Sequence, residues 1–130
     1  MGSVTRTATF AASADAVYAV ISDARRLTGW CADFALKVTE DGDDWTVETS
    51  IGPVHLELEA DPAARTVDLR VTHDIDGGAD HRARTRVLEN AEGGSEYVYT
   101  RIFGHGESEA DATALADVIE IRLKALAASL

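Results

Sequence analysis

SEADATALADVIEIRLKALAASL, residues 108–130, is the longest helical pattern in this chain. Ser108 followed three residues later by Asp111 is a capping-box spacing, which supplies acceptor oxygens to the free N–H groups of a helix start. Ala112, Leu115, Ala116, Ile119, Leu123, Leu126, Ala127 and Leu130 recur every three or four residues and share one face. Asp117, Glu120 and Lys124 take the other face, with Glu120 and Lys124 spaced for an i,i+4 pair. Acids lead (Glu107, Glu109, Asp111) and Arg122 and Lys124 trail, an order that suits the helix dipole. Such a helix is about 30 Å long and needs a broad apolar surface to lie on.

The preceding sequence offers a sheet. From Phe34 to Phe103 the apolar period drops from about four to two. Phe34, Leu36 and Val38 alternate, then Trp45, Val47, Thr49 and Ile51 after Asp41-Gly42-Asp43. Gly52-Pro53 reads as a break before Val54, Leu56 and Leu58. After the Asp61-Pro62 turn come Val67, Leu69, Val71 and His73. Beyond Asp76-Gly77-Gly78 come His81, Ala83, Thr85 and Val87, and beyond Gly93-Gly94 the last strand, Glu96 to Phe103. Short turns of Gly, Pro and Asp imply antiparallel neighbours, and one-sided alternation implies one wet and one buried face. At the front, Val4 to Phe10 alternates as a strand. Ser13 caps a helix over 14–22 with a buried stripe of Ala16, Val17, Val20 and Ile21, and Asp23 caps a short turn over 24–27 that Gly29 ends. The expected class is α+β: a seven-stranded curved antiparallel sheet around a long C-terminal helix, with two short helices after the first strand.

The 130 residues fit a single domain, 1–130, large enough for a real core. A formal charge of −11 argues against nucleic acid and against anionic membrane surfaces as partners. No apolar run approaches a membrane span, and residues 1–10 carry no signal-peptide pattern. Cys31 is the single cysteine, which points to a reducing cytoplasm. Ten arginines against two lysines point to a GC-rich bacterial genome.

FAASADAVYAVISDARRLTGW, residues 10–30, resembles the opening of the START/Bet v 1-like superfamily, also called SRPBCC or polyketide cyclase/dehydratase-like. Gly93-Gly94-Ser95 before an aromatic strand resembles that family's last hairpin. Ala14 stands where the family commonly has Pro. The resemblance implies the helix-grip fold and a cavity between sheet and helix. It leaves the chemistry open, because the family spans carriers, cyclases, dioxygenase subunits and co-chaperone domains.

On the inner face, His73, His81, Tyr99 and Arg101 are the candidate catalytic groups. A histidine titrates near neutrality and can move a proton; Tyr97 or Tyr99 would donate to a developing oxyanion, and Arg101 would hold an oxygen. Each histidine is also readable, and more simply, as a strand-end residue near solvent. A one-residue slip would turn Arg101 outward; the aromatic set Tyr97, Tyr99 and Phe103 is taken as inward because rings bury more area. Trp30, Val71, Thr85, Tyr97, Phe103, Leu115 and Ile119 are the expected ligand contacts, Trp30 through the resemblance and otherwise as packing. The sequence around Cys31 shows no His or Lys that would mark it as a nucleophile. His55 is expected in solvent, and His105 in a loop that either gates the cavity or only connects.

No metal and no cofactor are expected. Asp74, Asp76, Asp80 and His81 imitate the start of a calcium loop, but Thr85 stands where a closing Glu belongs. A two-histidine, one-carboxylate iron site has no matching spacing. The expected function is binding of a hydrophobic, partly oxygenated small molecule by a monomer or homodimer, with cyclase or dehydratase chemistry as its catalytic form. The alternative is a non-catalytic, co-chaperone-like interaction module using the acidic outer face.

Overall fold

The computed structural model describes residues 2–32, 34–73, 80–104 and 106–130, with His73 by its backbone alone. The chain runs β1 (Ser3–Phe10), α1 (Ala14–Ile21), a 3₁₀ turn (Ala24–Arg26), α2 (Leu27–Trp30), β2 (Lys37–Asp41), β3 (Asp44–Thr49), β4 (Gly52–Asp61), β5 (Thr66–His73), β6 (Asp80–Glu89), β7 (Ser95–Ile102) and α3 (Glu109–Ser129). The seven strands form one curved antiparallel sheet in the order β1-β7-β6-β5-β4-β3-β2. Only the helical segment after β1 carries the chain from one edge of the sheet to the other; every later strand pairs with its predecessor.

Local chemistry sets the helix ends. Ser13 accepts from the Ala16 amide and Asp23 from the Arg25 amide. Ser108 accepts from the Asp111 amide, as its spacing implies. Four boundaries differ from the sequence reading. Gly29 lies inside α2 rather than ending a helix. Phe34 and Leu36 precede β2, because the Phe34 and Ala35 amides turn back to the Cys31 carbonyl. Ile51 sits in the β3–β4 turn, and Gly52-Pro53 opens β4 instead of breaking it. In α1 the buried side is Ala14, Val17, Tyr18, Val20 and Ile21, while Ala16 is exposed. The stripe is rotated because the Tyr18 hydroxyl reaches the Thr66 carbonyl at 3.0 Å.

α3 lies on the concave face, nearest β1. Its seat is narrow: Ala112, Ala116, Leu123 and Leu126 are its buried residues. Alanine lets the helix approach the sheet closely, and Arg6 of β1 clamps it by an ion pair to Asp117 at 2.7 Å. Leu115 and Leu130, expected on the buried face, remain 47% and 42% exposed. Glu120 and Lys124 stand 3.9 Å apart, but α3 has no basic residue in its last turn. Two apolar clusters result. One joins β1, β6, β7, α1 and α3 around Phe10, Val17 and Leu123; the other joins β3, β4 and β5 around Val47, Val54 and Leu56. Between them the helix stands off the sheet. No helix among the described residues is long and apolar enough to cross a membrane.

Candidate functional site

β7 settles the face question. Ser95, Tyr97, Tyr99 and Arg101 are buried, while Val98 and Thr100 are half-buried and Ile102 is exposed. Register then lines up the inner face in rows. Tyr99 faces Thr85 of β6, which faces Val67 of β5. Arg101 faces Ala83, which faces Leu69, which faces Leu58. One row further, His81 faces Val71, which faces Leu56. Successive rows lie about 7 Å apart along the strands.

Over these rows lies a pocket of about 390 Å³. Its floor is the sheet, and its roof is the flank of α3 carrying Leu115, Val118 and Ile119. One end is closed by Ile21, Ala24, Leu27, Trp30, Cys31 and Phe34, and Thr49 to Ile51 form part of its rim. Most of the wall is aliphatic or aromatic. The exposure of Leu115 now has a reason: that side chain overhangs the pocket instead of meeting the sheet.

Polar groups concentrate on β6, β7 and the loop after β7. Arg101 is only 4% exposed. Its guanidinium donates through Nη2 to Glu107 Oε2 and through Nε, at 3.4 Å, to Glu107 Oε1. The Gly104 amide also reaches Glu107 Oε1, at 3.5 Å. Gly104 is required there, since a Cβ would lie 1.7 Å from the Asp80 carbonyl oxygen. Burial alone pushes the Glu107 carboxyl up, but the hydrogen bond and charge of Arg101, with His81 and the Gly104 amide, hold it below the usual value. For Arg101, burial works against the charge, and Glu107 and Tyr99 outweigh it. The Tyr99 hydroxyl is pushed up by burial, with Arg101 pulling the other way. Burial likewise raises Tyr97 far above its ordinary value, opposed by a hydrogen bond with Thr85. Thr85 donates its own hydrogen to the Val67 carbonyl at 2.8 Å. Raised as they are, both phenols stay protonated at neutral pH.

Of the residues singled out from sequence, Trp30, Val71, His81, Thr85, Tyr97, Tyr99, Arg101, Leu115 and Ile119 all border this pocket. Phe103 does not: it follows β7, and its amide donates to the Gly2 carbonyl. His73 stands opposite Val54 at the end of β5. Its side chain, the loop of Asp74 and Asp76 with its glycine turn, and His105 lie outside the described residues. Glu107 escaped the sequence reading. The sequence reading gave Arg101 an oxygen to hold; that a residue six positions later supplies one was not legible. Trp30 carries a second signal, since its indole N–H is buried with no hydrogen-bond partner among the described residues.

A larger, open groove of about 490 Å³ lies between α2 and the end of α3. Arg25 borders it but is paired with Glu40 and stacked over Trp45 at 5.2 Å. The groove is open to solvent, whereas helix and sheet enclose the pocket between them.

The sequence matches the family described as polyketide cyclase / dehydrase and lipid transport over residues 1–130. No curated protein sequence matches the chain. Among solved structures, XoxI from Bacillus cereus is similar at 17% identity, covering 99% of this chain and 95% of that one, with a TM-score of 0.78. A START superfamily protein from Mycobacterium smegmatis is similar at 10% identity, covering 99% of both chains, with a TM-score of 0.68. The di-domain ARO/CYC protein BexL of the BE-7585A biosynthetic pathway matches at 14% identity and a TM-score of 0.69, over 98% of this chain and 45% of that one. At these identities the likeness is one of fold.

Proposed function

The chain belongs to the polyketide cyclase / dehydrase and lipid transport family, and from that premise we propose that it binds a hydrophobic, partly oxygenated small molecule between α3 and the sheet. The observation that carries this reading is an apolar pocket with its polar groups gathered on β6, β7 and the loop after β7. Ligand sites commonly combine apolar walls with a few placed polar groups. At interior packing density, 390 Å³ accommodates about 290 Å³ of molecule, on the order of three fused rings. Arg101, Tyr99 and His81 meet the guest's oxygens.

The same constellation supports a catalytic form, a cyclase or dehydratase. His81 accepts a proton from carbon next to a ketone, and the electron pair left behind moves onto the ketone oxygen. Tyr99 and Arg101 stabilise that oxyanion in a site poor in water. The enolate then either attacks a second carbonyl, closing a ring while that carbonyl's oxygen takes the proton from His81, or expels a β-hydroxyl, which leaves as water with that proton. The raised pKa of Tyr99 keeps its proton available throughout. Holding both ends of one chain in one pocket adds the advantage of proximity.

Titration with 1,8-dihydroxyanthraquinone, followed by tryptophan fluorescence, tests the reading. Saturable quenching is expected in the wild type, and its loss in Ala83→Phe, which fills the floor while retaining the melting transition. Quenching that fails to saturate, or that is unchanged in Ala83→Phe, overturns it.

A further inference from the structure

The outer face of the sheet carries a second constellation, unconnected with the pocket. His55 and Glu57 are two apart on β4 and so share a face, alternating with the buried Val54 and Leu56. β3 pairs with β4 in the register Trp45 to Leu56 and Thr46 to His55, which carries Asp44 to the position beside Glu57. Two carboxylates side by side on neighbouring strands repel each other. His55 is turned into the gap between them: its Nε2 lies 3.2 Å from Asp44 Oδ2 and 3.9 Å from Glu57 Oε1. One ligand atom from each of the three residues falls within 4.8 Å of the others.

These separations have a chemical reading. Zinc binds imidazole nitrogen and carboxylate oxygen at about 2.0 to 2.2 Å, so the ligand atoms of a tetrahedral site stand about 3.3 to 3.6 Å apart. The observed 3.2 and 3.9 Å bracket that edge length. The other ring nitrogen, Nδ1, faces Asp41 Oδ2 at 3.9 Å, where metal-bound histidines usually keep an outer carboxylate. Arg70 approaches Glu57 through Oε2, at 3.8 Å, which leaves Oε1 on the histidine side. The three side chains are 34 to 43% exposed, so an ion can enter and keep water as its fourth ligand.

The geometry points to a divalent transition-metal site, with zinc the best fit, formed by Asp44, His55 and Glu57 and backed by Asp41. A bound ion joins β3 to β4, close to the β2 edge, and replaces the repulsion between Asp44 and Glu57 by shared coordination. Its role is structural, since the site lies on the face of the sheet opposite the pocket. No spacing along the chain announces it: Asp44 and His55 meet only through the strand register.

The test is a calorimetric titration of the untagged full chain with Zn²⁺ in phosphate-free buffer, paired with the visible spectrum of the Co²⁺ form. One ion per chain is expected, with a rise in melting temperature and the intense absorption of tetrahedral cobalt. His55→Ala and Glu57→Gln, each checked for a native circular dichroism spectrum, are expected to weaken binding at least tenfold. Asp41→Asn is expected to weaken it by a smaller factor. Absence of binding below millimolar Zn²⁺, or affinity unchanged in folded His55→Ala, overturns the site and leaves a plain imidazole–carboxylate contact in its place.

Discussion

Removing the carboxylate of Glu107 should be expensive out of proportion to its place in a loop. In Glu107→Gln, Arg101 stays buried, with its side chain 5% exposed, and loses its ion pair. Deleting one partner of a buried pair costs about 3 to 5 kcal/mol. The lower end applies here, because the Glu107 side chain is 13% exposed. A loss of about 3 kcal/mol, spread over an unfolding entropy of roughly 0.27 kcal/mol/K for a chain of this length, lowers the melting temperature by about 11 °C. Urea unfolding with an unchanged slope measures it. Asp68→Asn, which breaks the exposed pair with Arg84, serves as the control and should stay within about 0.5 kcal/mol. The double variant Arg101→Met, Glu107→Leu should recover most of the loss, because apolar replacement of a buried pair is often neutral. The pH dependence follows in sign. Because the Glu107 carboxyl is held below its ordinary 4.5, its contribution is complete above that value and disappears as pH falls through the lower folded one. Glu107→Gln should therefore flatten the acid limb of the stability curve. A Glu107→Gln protein no less stable than Asp68→Asn would refute the claim that this pair is a buried one.

Three further outcomes follow from the same geometry. Gly104→Ala drives a methyl into the Asp80 carbonyl; since backbone has to shift, it should cost about 3 kcal/mol or more, the top of the overpacking range, read by urea unfolding. Leu123→Ala empties a fully buried position under α3 and should cost about 2 to 5 kcal/mol, again by urea unfolding. The raised pKa values of Tyr97 and Tyr99 stabilise the fold fully below the unfolded value of 10.0 and progressively less as pH climbs above it. Absorbance at tyrosinate wavelengths should show their ionisation delayed until the chain unfolds.

Much of this was legible because two periods dominate the sequence. The four-residue recurrence after Ser108 gives α3 and its cap, and the two-residue alternation gives the seven strands; for β7 it left the two faces open, and ring size favoured the one that is buried. Where alternation ran past a strand, at Phe34, backbone hydrogen bonds from the Phe34 and Ala35 amides to Cys31 decided the matter, and no side-chain pattern reports those. The exposed Leu115 shows a different gap. Periodicity names the apolar face of a helix but not how far that face stands from its neighbour, and here the distance makes the pocket. Glu107 and the Asp44–His55–Glu57 cluster were hidden for a third reason: both depend on loop path or strand register, which bring together residues with no common spacing.

The central claim is that a guest occupies the space between α3 and the sheet. An isotope-filtered nuclear Overhauser spectrum of the labelled protein with 1,8-dihydroxyanthraquinone tests it most directly. The account predicts contacts from the ring protons to the methyls of Leu69, Val71, Leu115 and Ile119. Contacts confined to Ala125 and Leu130, in the open groove at the end of α3, would contradict it.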